Sequence, residues 1–68
     1  MWVLWLTFVY FSGGSLALPV NAANPYATYL ECVEDRVATE KLIAPLWPDL
    51  SANMHSIHVS CKKAPDVH

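Results

Sequence analysis

The chain opens on an unbroken apolar run, Trp2-Val3-Leu4-Trp5-Leu6-Thr7-Phe8-Val9-Tyr10-Phe11. Ser12-Gly13-Gly14-Ser15 follows, then a shorter apolar run, Leu16-Ala17-Leu18-Pro19-Val20. Aromatic and β-branched residues favour strands, and paired glycines between two apolar runs mark a turn. The pattern predicts a β-hairpin within residues 1–22. Both faces of the first run are apolar, so it belongs at the centre of a sheet or under cover on both sides. Pro19 cannot donate to a ladder, which confines the second run to an edge.

Two other readings fit the same residues. A secretory signal peptide has an apolar core of this length, with small residues at a cleavage site such as Ser15-Leu16-Ala17 or Val20-Asn21-Ala22. No Lys or Arg precedes the run, which counts against it. A membrane helix over residues 2–20 just reaches the length a bilayer needs, but two glycines and a proline fall inside it. If residues 1–22 were removed, one helix and one strand would remain. A lone strand leaves backbone groups unpaired on both edges, so the hairpin or a partner has to supply its ladder.

From residue 23 the pattern becomes polar and periodic. Thr28 can cap a helix with its hydroxyl, and Glu31 stands three residues on, where a capping box closes. Glu31, Glu34 and Asp35 fall in the early turns and Lys41 in the last turn, each where the helix dipole favours its charge. Pro45 ends the run, so a helix is expected over residues 29–43. Its apolar stripe reads as Tyr29, Leu30, Val33 and Val37, with Cys32 on the flank and Ile43 and Ala44 at the end. Arg36 precedes Glu40 by one turn and can pair with it. Residues 44–53 are rich in Pro, Ser, Asp and Asn and read as a loop. Trp47 within it suits either a lid over the core or an exposed contact for a partner. Residues 56–62 alternate cleanly: Ile57, Val59 and Cys61 on one face, Ser56, His58, Ser60 and Lys62 on the other. That is a strand with one buried and one wet face. Residues 62–68 read as a frayed polar tail.

Composition narrows the classes. Sixty-eight residues allow a single small domain, residues 1–68, whose core needs a staple or a partner. At 54% hydrophobic and 15% charged, the chain is too apolar for disorder. Four basic residues and a net charge of −2 exclude a nucleic-acid footprint. No charged side chain precedes Glu31, an asymmetry that points toward membranes or export. Cys32 lies beside the helix stripe and Cys61 on the apolar strand face, so helix-on-sheet packing brings them together. A disulfide in an oxidising compartment is expected. No Cys-x-x-Cys redox motif occurs. His55 and His58 point to opposite faces of a strand and Cys61 faces away from His58, so no metal site forms. Without a nucleophile elbow, phosphate loop or triad spacing, the chain is expected to be no enzyme and to take no cofactor or small-molecule substrate.

The stretch Tyr26-Ala27-Thr28-x-x-x-Cys32, together with the apolar run opening Trp-Val-Leu and the late strand ending in Cys61, resembles small uncharacterised bacterial and phage proteins. The resemblance implies a ββαβ arrangement with one disulfide and no activity. The expected fold is therefore α+β: an apolar hairpin, one helix packed on it and a C-terminal strand joining the sheet. The expected role is that of a structural or interaction protein of the cell envelope, periplasm or secreted space, contacting a protein partner or a membrane. The alternative is a membrane-embedded accessory subunit anchored by residues 2–20.

Overall fold

A computed structural model describes residues 1–64 of the chain. It has the ββαβ order that the hydrophobic pattern predicts. Strand β1 spans Trp2–Tyr10 and β2 spans Ser15–Pro19. Helix α1 spans Tyr29–Ile43, and β3 spans Met54–Lys63. The three strands form one antiparallel sheet in the order β2-β1-β3. The apolar run is thus the central strand, as its two apolar faces require. The membrane-helix alternative for residues 2–20 is not adopted: this segment runs as strands. Among the described residues no helix is long and apolar enough to cross a membrane.

The hairpin turn explains the glycines. Gly13 N–H donates to Tyr10 C=O at 3.1 Å, and Tyr10 N–H donates to Gly14 C=O at 2.9 Å. The loop is Phe11-Ser12-Gly13, with Gly13 at φ +95°, where an L side chain would be strained. Pairing then runs from Val9↔Ser15 to Trp5↔Pro19. Val20 N–H donates to Leu4 C=O at 2.8 Å, so even-numbered β1 residues direct their backbone groups toward β2. By the alternation of an antiparallel ladder, Pro19, opposite Trp5, turns its nitrogen away from β1 and costs no bond.

Helix α1 starts where its cap predicts. Thr28 is extended at φ −124°, ψ 156°, and its hydroxyl accepts Glu31 N–H at 3.2 Å. The helix ends at Ile43 because Pro45 lacks an N–H and clashes with the preceding turn. The segment expected to be a loop is not irregular, however. Ala44–Leu46 tightens into a 3₁₀ turn, and Trp47–Leu50 forms one turn of helix, α2. Pro45 and Pro48 both fall in first-turn positions, where a missing N–H is no loss.

The helix is rotated relative to the expected stripe. Its buried or half-buried residues are Cys32, Val33, Arg36, Thr39 and Ile43. Leu30 is 65% exposed, and Tyr29 and Val37 are also exposed. Cys32, placed on the flank by the pattern, is wholly buried. Its bond to Cys61 on β3, with Cα atoms 6.1 Å apart, fixes which side of the helix meets the sheet. Among the described residues the buried core is small: Val3, Leu4 and Cys32. Val3 lies on the face away from the helix, opposite Lys62, whose ammonium reaches over the Trp5 ring at 5.4 Å. The stem of Lys62 thereby covers apolar surface while its head stays in water.

Candidate interaction surface

Each residue singled out from the sequence has a definite place. Cys32 and Cys61 are joined, and no described cysteine is free. Closing a loop of 29 residues stabilises the fold by roughly 3 to 4 kcal/mol on the chain-entropy scale. A disulfide is consistent with an oxidising, extracellular type of compartment.

The alternation of a regular strand aims His55 and His58 at opposite faces, but the irregularity in β3 lets both rings reach one hydroxyl, Ser56 Oγ. His55 falls at the irregularity in the β1–β3 ladder, where Val9 pairs with Ser56 and Tyr10 with Met54. There its ring meets the edge of Phe11, centroids 6.1 Å apart. Ser56 Oγ lies 3.5 Å from His55 Nδ1 and 3.0 Å from His58 Nε2. Among the described residues no group of three or more His, Cys, Asp or Glu side chains is arranged to hold a metal. His68 lies outside the described residues.

Two flanks of α1 have different characters. On the β2 side, the Tyr26 hydroxyl donates to the Asp35 carboxylate. Tyr26 itself is tied to the sheet, exchanging two backbone bonds of 2.8 Å with Trp2. The Trp2 ring then meets Tyr29 edge-on at 4.7 Å. The hydrogen bond to Asp35 favours the neutral phenol and, with partial burial and the carboxylate charge, pushes its pKa from 10.0 up to about 12. This cluster fastens the helix start to the open end of the sheet.

On the β3 side lies an open groove of about 500 Å³. Ile57, His58 and Val59 of β3 form one wall, and Glu40, Ile43, Ala44 and Trp47 form the other. Trp47 is half-buried, on the rim of the groove and not sealed beneath the helix. Arg36 and Glu40 face each other at 3.6 Å across one helical turn, too far for a hydrogen bond and partly in water.

The apolar residues that the core does not absorb form two exposed groups. Leu16 and Leu18 pair with Phe8 and Leu6, on the helix side of the sheet. Helix α1 packs over β1 and β3 and not over β2, so Leu16 and Leu18 are left exposed. Phe11 at the hairpin tip is also exposed, with its ring toward His55 of β3. Val37, beside the half-buried Val33, forms the second. By helical spacing both valines stand in the row that continues through Glu40 and Ala44, the two members of it that line the groove. The sequence pattern aimed both valines at the chain's own sheet; Val33 is half-buried, whereas Val37 is exposed.

Comparison of the chain with protein-family models, with curated proteins and with solved structures finds no match.

Proposed function

We propose that this protein is a small structural or interaction protein of the cell envelope or secreted space, working through surface contact and not through catalysis. The observation that carries this is the imbalance between core and surface. Among the described residues only Val3, Leu4 and Cys32 are buried, whereas Phe11, Leu16, Leu18, Leu30, Val37 and Leu42 are among the large apolar residues left exposed. Contiguous exposed apolar groups on a small domain mark contact sites for protein or membrane. Leu16 and Leu18 supply such a group on the sheet, and Trp47 supplies an aromatic rim beside the groove, a residue type enriched at binding hot spots. The disulfide supports an oxidising compartment as the place of work.

The test uses the full chain in its native cell, with a photo-crosslinking residue at Leu18 and, as a control, at Ala38 on the outer side of α1. Fractionation is combined with intact-mass measurement. The expected result is an oxidised chain in the extracytoplasmic fraction and a discrete adduct from position 18 alone. A reduced chain in the cytosol, with equal or no crosslinking at both positions, would overturn the proposal.

A further inference from the structure

The outer edge of β3 is open. Met1 C=O accepts Ala64 N–H at 2.8 Å, while Trp2 and Leu4 bond toward β2 and the 21–26 segment. Odd-numbered β1 residues therefore bond to β3. Their partners by register are Lys62, Ser60, His58 and Ser56. Alternation then turns the N–H and C=O groups of Ile57, Val59 and Cys61 outward. Among the described residues β3 lies at the edge of the sheet and pairs with β1 alone, so these groups have no ladder partner.

The two edges of the sheet differ. Edge β2 is five residues long and carries Pro19, two devices that blunt an edge. Edge β3 is ten residues long, has no proline, and bears no Lys, Arg, Asp or Glu before Lys62. By helical spacing Val33 and Val37 share the flank of α1 that carries Glu40 and Ala44 at the groove, with Val37 exposed and Val33 half-buried. The fold thus has both a ladder without its next strand and, on the neighbouring helix flank, an exposed apolar side chain at Val37.

We propose that the occupant is the β3 strand of a second copy, paired antiparallel about a two-fold axis to give a continuous six-stranded sheet. Helix α1 lies over β1 and β3. With strands about 4.8 Å apart, the axis between the two β3 strands falls about 4.8 Å from a helix seated above that pair. The two helices then lie about 10 Å apart, the separation at which helices pack. Val33 and Val37 of each copy meet the other copy's helix across the axis, which a single added peptide strand would not provide. Antiparallel pairing also keeps the two Lys62-Lys63 pairs at opposite ends. Lys63 shares the helix side of the sheet with Cys61, so it approaches the groove end of the other copy, where Glu40 stands. The isologous contact closes on itself, so association stops at the dimer. This surface is separate from the β2 side, and the inference holds whether or not Leu16 and Leu18 meet a partner.

Sedimentation of the oxidised full chain over a range of concentrations tests it, together with amide hydrogen exchange. The expected result is a concentration-dependent dimer in which Ile57, Val59 and Cys61 amides exchange slowly, and faster on dilution to monomer. Val37→Lys places two like charges at the axis and should weaken the dimer by at least about tenfold, in line with the cost of like charges at an interface. Leu42→Lys, on another side of α1, should leave it unchanged. A chain that stays monomeric at every concentration overturns the proposal. So does a dimer indifferent to Val37→Lys, or one in which the three outward amides exchange as fast as in the monomer.

Discussion

The side chain of Asn21 accepts the backbone N–H of Leu4 at 2.8 Å and so stands in for a strand that has already turned away. Edge β2 ends at Pro19, and the chain returns to pair with β1 only at Tyr26. Between them Asn21 extends the ladder by one side-chain bond, and its amide group also reaches Asn24 C=O at 3.3 Å. Leu4, only 1% exposed, is the largest side chain in the core.

Replacing Asn21 by Ala leaves the Leu4 amide without its acceptor. The expected cost is about 1 to 3 kcal/mol, the penalty for an unsatisfied donor away from water. Asn21→Asp keeps the acceptor and should retain most of the stability. Denaturant titration of the three chains measures this. Equal midpoints for Ala and Asn would show that water replaces the side chain at no cost.

The disulfide should dominate stability. Cys32→Ser with Cys61→Ser removes a constraint of roughly 3 to 4 kcal/mol. Whole domains are stable by only about 5 to 15 kcal/mol, and one with so small a core lies at the low end. The doubly substituted chain should lose its cooperative thermal transition at room temperature. A melt superimposable on that of the oxidised protein would contradict this.

The helix cap is a smaller, local contribution. Thr28→Ala removes the acceptor of Glu31 N–H and should cost about 1 kcal/mol without changing the fold. Thr28→Ser retains a hydroxyl and should lie close to the parent. The comparison is read from denaturation midpoints at constant slope.

Tyr26 gives stability a dependence on alkaline pH. Its folded pKa, about 12, lies above the ordinary 10.0 because its hydroxyl donates to Asp35. A group raised on folding contributes fully below its unfolded value and loses that contribution as pH climbs through its folded one. This contribution to stability should therefore be intact below pH 10 and fall away from there toward about 12. In Tyr26→Phe this part of the pH dependence disappears. In Asp35→Asn the phenol should titrate closer to 10. Ultraviolet detection of phenolate in each chain follows both effects.

Much of this architecture is legible from local pattern. Thr28 and Glu31 mark the helix start because capping is a matter of residues within one turn. Gly13 marks the hairpin because only a positive φ closes that loop without strain. Period-two alternation in Ile57, Val59 and Cys61 assigns the strand and its inner face. The rotation of α1 is not legible in the same way. Tyr29, Leu30, Val33 and Val37 form the more apolar row, yet the covalent bond at Cys32 and the packing of Arg36, Thr39 and Ile43 decide which row faces the sheet. The helical turn at Trp47 is also hidden, because Pro45 and Pro48 act as breakers within a helix but fit its first turn. The open β3 edge depends on strand order, which pattern alone does not fix.

Strand order also sets the time course of folding. The central strand is made first, yet its longer ladder joins Trp2 to Lys63 across almost the whole described chain. Only the short hairpin, Val9↔Ser15 to Trp5↔Pro19, can close from neighbouring sequence. A nascent chain emerging from the ribosome would therefore hold β1 half-paired, with Val3, Trp5, Thr7 and Val9 lacking their backbone partners until β3 has been synthesised. Contacts of such long range make folding slow for the chain's size and delay disulfide closure to the last stage. Until then, the polypeptide has no finished domain.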